Sequence, residues 1–228
     1  MLKVLITGGT GFVGEWLKIK KPDAYSIYSI GRTKYEKGAW TQTKWDYIIH
    51  LAPTSPLWIL RQATKHNTRV LYASSGVVYH PENWARKEYL ADKLEGEKLC
   101  TESGVDVVVA RLFTFYGKHL DDKKAITIFN DAAKNNLPLV ITGDGSTVRT
   151  YMHGSEMADW MWAILAHGKT GESYDVGSDK PVTMLGLAQD IIKTTASQSP
   201  IYILNKKDPM PYYIPKDIEK TKLLLDKT

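Results

Sequence analysis

The 228-residue chain contains a single cysteine, Cys100. One thiol can form neither an intrachain disulfide nor a cysteine-built zinc site, so a disulfide scaffold is excluded and a reducing compartment is compatible. Long apolar runs are missing too. The longest, Trp160 to Ala166, has seven residues, against roughly 20 for a helix that spans a bilayer. The first residues, Met-Leu-Lys-Val-Leu-Ile-Thr, pass at once into glycines and lack the apolar core and cleavage site of a secretion signal. No membrane association is expected, and a cytoplasmic location is. The six histidines (His50, His66, His80, His119, His153 and His167) show no metal-ligand spacing, so no metal is expected. Charge of one sign is in little excess, with thirty Lys and Arg against twenty-five Asp and Glu. That balance suits an anionic small molecule as readily as nucleic acid. Seven Trp and thirteen Tyr occur without a basic-aromatic platform, which points to core and cleft packing and away from a nucleic-acid partner.

What is present reads as a folded chain. With 43% hydrophobic and 24% charged residues, and about 100 to 200 residues per domain, there is room for one domain with a small annex. Strand-like runs recur at Leu2 to Thr7, Tyr25 to Ile30, Tyr47 to Leu51, Val70 to Ser74 and Val105 to Ala110. Helix-compatible stretches lie between several of them, at Phe12 to Lys21, Leu57 to His66 and Ala85 to Glu102. Alternating strand and helix predicts a doubly wound α/β fold with a parallel sheet, and nearly continuous apolar runs such as VDVVVA fit strands covered on both faces. After about Arg111 the pattern changes. A helix from Ala125 to Asn135, a strand LVIT, the turn Gly143-Asp144-Gly145-Ser146, a helix from Ser155 to His167, a strand from Tyr174 to Val176 and a helix from Met184 to Thr195 are expected. The division predicted is a dinucleotide-binding domain over 1–112 and about 150–170, with a substrate-binding lobe over 113–149 and about 171–228. A cleft between them is the default site.

Residues Thr7-Gly8-Gly9-Thr10-Gly11-Phe12-Val13-Gly14 follow the first strand and open the first helix. Glycines at 8, 11 and 14 permit a tight turn, let backbone N–H groups approach a pyrophosphate at the positive helix end, and let the helix lie close on the sheet. Arg32 falls where an acidic residue would accept from an adenosine ribose. A guanidinium there offers charge to a 2′-phosphate, so NADP is favoured over NAD. In Tyr89-Leu90-Ala91-Asp92-Lys93 a phenol and an ammonium stand one helical turn apart. A cation beside a phenol favours phenolate, which can exchange a proton with a substrate hydroxyl. Ser75 ends a strand, where open parallel sheets bind ligands, and its hydroxyl can hold the oxygen that becomes a carbonyl.

TGGTGFVG, HLAP, SSGVVY, YLADK, RLFTFYG, GDGSTVRTYMH and YDVGSDKPVT, in this order across almost the whole chain, resemble the extended short-chain dehydrogenase/reductase family, the branch of nucleotide-sugar epimerases and dehydratases. The resemblance implies a Rossmann-type sheet with a small C-terminal substrate lobe. It matches Ser75, Tyr89 and Lys93 to the catalytic residues, and Gly8, Gly11, Phe12, Val13, Gly14, Leu51 and Ala52, with Tyr89 and Lys93, to the cofactor site. Arg149 matches the arginine that clamps the diphosphate of the sugar nucleotide, and Thr114 stands where many members have a substrate-touching asparagine.

The departures from that family carry information of their own. Only twelve residues lie between Arg32 and Trp45, too few for the usual extra strand and helix, so a shortened sheet edge is expected. Gly76 and Val77 stand where sugar 4,6-dehydratases carry an Asp-Glu pair, which disfavours dehydration. The reading is an NAD(P)-dependent nucleotide-sugar epimerase working by reversible hydride transfer at a sugar carbon. An NADPH-dependent keto-sugar reductase and a non-catalytic NADP-binding protein are the alternatives. A homodimer through the tyrosine-bearing helix and the one before it, where Leu57, Trp58, Ile59 and Leu60 are apolar, is also expected.

Overall fold

The computed structural model describes residues 1–31, 41–80, 86–120, 124–206 and 212–227. Its centre is a six-stranded parallel sheet built from β1 (Leu2–Thr7), β2 (Tyr25–Ile30), β3 (Tyr47–His50), β4 (Arg69–Ser75), β5 (Val107–Leu112) and β10 (Ser173–Val176). The order across the sheet is β10-β5-β4-β3-β1-β2. This is a Rossmann-type winding that reverses between β1 and β3, and ligands bind such sheets in the crevice beyond that reversal. Among the described residues β2 is the edge, with no strand beyond it. Arg32 lies outside the described residues, so the reading of a 2′-phosphate contact falls there too.

Each face of the sheet is buried by helices, which explains strands without polar alternation. On one side α1 (Phe12–Ile19), α5 (Gly154–His167) and α7 (Glu219–Leu225) close over Val4, Ile6, Leu71 and Val108. Helix α5 is apolar on almost every side because it is enclosed by the sheet, α1 and α7, and Trp160 to Leu165 are all buried. Its start is capped by His153, whose Nδ1 accepts from the Ser155 amide at 3.3 Å. On the other side α2 (Leu57–His66) and α3 (Lys87–Glu102) cover Leu5, Ile48, Val70 and Val109. Ile59 and Leu60 of α2 are part of this core, which leaves Leu57 as the exposed residue of the expected dimer surface.

A second, smaller core lies off the sheet. Helices α4 (Ala125–Lys134) and α6 (Met184–Thr195) pack around β7 (Leu139–Ile141), which pairs in parallel with β12 (Ile201–Ile203). Between the two cores, β8 (Val148–Thr150) pairs with β11 (Pro181–Thr183) and with β13 (Tyr212–Tyr213). The residue pair β6 (Phe115–Tyr116) meets β9 (Met152–His153). Residues 173–176, which the sequence division assigns to the lobe, form the strand beyond β5 in the large sheet. Their SYDV run has three buried residues and Asp175 among them.

Candidate active site

The ends of β1, β3, β4 and β5 and the start of α1 border one cleft of about 570 Å³. The turn after β1 is set by Gly8, at φ +70°, where a Cβ would stand 2.8 Å from the Ala52 nitrogen. At Gly14 a Cβ would stand 2.5 Å from Gly9 Cα, so the helix start lies directly on the loop. Gly11 is different. Its nearest neighbour would be Gly8 O at 3.6 Å, and the room there opens on the cleft. Helix α1 has Gly11 as its N-cap with no side-chain cap. The first-turn amides of such a helix lack intrahelical partners and sit at the positive end of its dipole. Phe12, Val13 and Gly14 line the cleft beside them. An uncapped helix start with backbone-only bulk in front of it fits a pyrophosphate, and this is the part of the molecule that would hold a dinucleotide.

His50 braces the loop from behind. It is fully buried; its Nε2 faces Thr54 O at 3.0 Å, and Nδ1 lies 2.8 Å from Thr7 Oγ1. A carbonyl only accepts, so Nε2 carries the proton and Nδ1 accepts from the threonine. Burial, with the nearby Lys93 charge adding to it, holds the imidazole down to about 4.

The side chains that the sequence singles out for chemistry come from β4 and α3. Ser75, 5% exposed, ends β4, and its Oγ lies 3.4 Å from the Val77 amide and 3.2 Å from Tyr213 Oη. Lys93 reaches across from α3 to donate to Ala73 O at 2.8 Å, with its Nζ 5.2 Å from the Tyr72 ring centre and 5.7 Å from that of Tyr89. Burial pulls the ammonium down to about 8. The helical spacing therefore does put Tyr89 and Lys93 on one face, towards Ser75. A polar girder beneath them fixes the three elements. Arg111 of β5 grips Glu97 of α3 through two nitrogens at 3.0 and 2.6 Å and donates to Tyr79 Oη at 2.8 Å. Ser74 donates to the same carboxylate at 2.5 Å, and Tyr79 donates to Asp175 at 2.9 Å.

Of the residues singled out in the sequence, Gly8, Gly11, Phe12, Val13, Gly14, Leu51, Ser75, Tyr89, Lys93, Thr114 and Arg149 all border this cleft. Ala52 is buried behind Gly8 and does not. Sequence reasoning missed Arg86, Lys124, Phe113 and Tyr213 on the same walls. With Lys93 and Arg149, the first two make four cations, and no Asp, Glu or His is among the described lining residues. A Cβ at Gly76 would overlap the Phe113 ring, so that position has no room for an acid while the ring stays in place, and Val77 presents an apolar side chain to the cleft. Elsewhere, no three His, Cys, Asp or Glu converge among the described residues. Cys100 is buried on α3, and burial pushes its thiol up to about 12, which makes it unreactive. No described helix is long and apolar enough to cross a membrane.

Comparison with known proteins adds the following. The sequence model of the NAD dependent epimerase/dehydratase family matches residues 37–177. UDP-glucuronic acid decarboxylase 1 of Danio rerio is 27% identical, over 98% of this chain and 68% of the relative. The alignment runs to 286 positions against 228 residues here, so the relative carries segments inside the match that this chain lacks. dTDP-glucose 4,6-dehydratase of Streptomyces niveus is 28% identical over 60% of this chain and 45% of that protein. Among solved structures, dTDP-glucose 4,6-dehydratase of Bacillus anthracis in complex with NAD superposes with a TM-score of 0.83 at 18% identity, covering 99% of this chain and 91% of the other. UDP-glucuronic acid 4-epimerase of Bacillus cereus, with UDP-glucuronic acid and NAD, gives 0.80 at 19% over 100% and 94%.

Proposed function

The chain belongs to the NAD dependent epimerase/dehydratase family, and from that membership we propose that it is an NAD(P)-dependent epimerase of a nucleotide-activated sugar. One observation carries the reading: the uncapped start of α1 and the trio Ser75, Tyr89 and Lys93 border the same cleft, whose described walls bear four cations and no carboxylate. Such walls suit two diphosphates, and among the described residues they offer no carboxylate for the elimination of water.

A bound nicotinamide dinucleotide supplies the hydride acceptor and donor. The chain supplies the rest. Tyr89 takes the proton of the sugar hydroxyl, and Ser75 donates a hydrogen bond to the same oxygen as it becomes a carbonyl. Lys93, fixed by Ala73 O and set beside the Tyr89 ring, keeps a positive charge next to the phenol. Arg149 and Lys124, on the lobe side of the cleft, hold the sugar-nucleotide diphosphate, and the diphosphate anchor lets the keto sugar turn and present its other face. With the dinucleotide bound, the hydride would return to the other face of the same carbon and Tyr89 would give back the one proton it took, so there would be no net redox change.

The solved relatives named above carry NAD, whereas Arg32 argues for NADP. A reductase working with NADPH is the reading that Arg32 favours, and titration of both dinucleotides against wild type and Arg32→Ala decides the preference. The homodimer through α2 and α3 remains part of the proposal, with Leu57 and Leu94 exposed on those helices; sedimentation velocity tests it.

The direct test offers the protein NAD or NADP with UDP-glucose, UDP-glucuronic acid and dTDP-glucose, and follows sugar configuration by proton NMR. Inversion at one carbon without net cofactor consumption is expected, and Tyr89→Phe lowers it by at least about a hundredfold. Tight cofactor binding with no conversion of any sugar overturns the reading in favour of a binding protein.

A further inference from the structure

One side chain at the reactive centre belongs to neither the glycine loop nor the Tyr-x-x-x-Lys pair. Tyr213 arrives from β13, 138 positions after Ser75, and is 8% exposed. Its phenol oxygen stands 3.2 Å from Ser75 Oγ and 3.2 Å from Leu112 O. The ring is packed against its neighbours. It packs on Phe113 at 5.1 Å between centres, has the Arg149 guanidinium 5.9 Å from its own, and sits on a strand held in register against Arg149. The segment that follows is tied down by Asp175, whose Oδ2 accepts from the Lys216 and Asp217 amides at 2.7 and 3.1 Å.

Donor and acceptor chemistry gives this placement a consequence. The Leu112 carbonyl only accepts, the Val77 N–H at 3.4 Å from Ser75 Oγ only donates, and Ser75 has one proton and two lone pairs. When Tyr213 donates to Leu112, its oxygen stands as an acceptor beside Ser75 and competes with the cleft for the serine proton. When Tyr213 donates to Ser75, the serine accepts from both Tyr213 and Val77, and its own proton points into the cleft. Only the second arrangement leaves the Ser75 proton without a competing acceptor in the protein, so that it is offered to a sugar oxygen. Burial keeps the phenol protonated by pushing it well above the usual tyrosine range, so it has a proton to offer in either arrangement.

We propose that Tyr213 is a positioning residue, which turns its hydroxyl from Leu112 O to Ser75 Oγ as the substrate oxygen arrives and so fixes Ser75 as the donor. The proposal rests on the function argued above and deepens it. It explains why a tyrosine from the far end of the chain is buried against the serine, a contact that packing alone does not require of a hydroxyl.

The test is a double-substitution cycle, Tyr213→Phe, Ser75→Ala and both together, on the sugar of the panel above that turns over fastest. Tyr213→Phe lowers kcat by about tenfold, the size of one neutral hydrogen bond, with KM and dinucleotide affinity within about twofold of wild type. In the Ser75→Ala background the same change has no further effect, because the group it acts through is gone. An equal loss of kcat in both backgrounds overturns the proposal while leaving the epimerase reading intact, and so does a faster Tyr213→Phe enzyme, whose phenol would then be an occupant that substrate displaces. Wild-type protein that converts none of the sugars is a separate result: it sinks the functional reading and this proposal with it.

Discussion

Lys93 offers a prediction whose sign and size both follow from its surroundings. The ammonium is 8% exposed and has no ion-pair partner among the described residues; it donates to Ala73 O and faces two aromatic rings. Burial lowers it from 10.5 to about 8. Between those values the unfolded chain keeps the proton and the folded chain sheds it, so unfolding takes up a proton and stability rises with pH. Below pH 8 the penalty is present in full; above 10.5 it is gone. At about 1.4 kcal/mol per unit, the depression amounts to about 3 kcal/mol. Urea unfolding followed by tryptophan fluorescence, at pH values from 7.5 to 10.5, measures it in wild type and Lys93→Met. Tyrosines and Cys100 titrate in both proteins and cancel in the difference. Wild type should gain about 3 kcal/mol relative to the variant across the window, while its turnover declines above about pH 8 as Lys93 loses its charge. Stability and activity moving in opposite directions is the signature. Parallel stability curves for the two proteins would refute the reasoning.

Other residues make sharp contrasts. Gly11→Ala should leave stability within about 1 kcal/mol of wild type and weaken dinucleotide binding at least about tenfold by fluorescence titration, because its Cβ enters the cleft and not the core. Gly14→Ala should instead cost about 3 kcal/mol in urea unfolding, since its Cβ meets Gly9 backbone. His50, held down to about 4 against an ordinary 6.5, should remove about 3 kcal/mol of stability as pH falls from 6.5 to 4, because there the unfolded chain binds a proton that the folded chain refuses. His50→Gln should flatten that part of the profile.

The parts of this molecule written in local pattern were legible. Helices α2 and α6 run from Leu57 to His66 and from Met184 to Thr195, as expected from apolar spacing, and the glycine turn lies where strand gives way to helix. Strand β5 lies two residues later than its apolar run suggests. Gly104 adopts φ +68° and Ser103 Oγ accepts from the Val105 amide, so a turn consumes the start of the run, and pairing of Val70 with Val107 fixes the register. Strands of two or three residues, such as β6, β9 and β13, have no pattern of their own and exist through pairing. The site divides in the same way. Tyr89 and Lys93 share a helix, and their spacing announces them. Tyr213 meets Ser75 across 138 positions, and Arg86 and Lys124 are ordinary surface cations until folding turns them towards the cleft.

The central claim is that one bound dinucleotide unites the glycine turn with Ser75, Tyr89 and Lys93. A crystal structure of the protein with NAD or NADP tests it most directly. The pyrophosphate is expected on the amides at Gly11 to Val13 and the nicotinamide ring between Ser75 and Tyr89, with Lys93 at its ribose. A dinucleotide seated elsewhere, or a cleft that stays empty at millimolar dinucleotide, would contradict it.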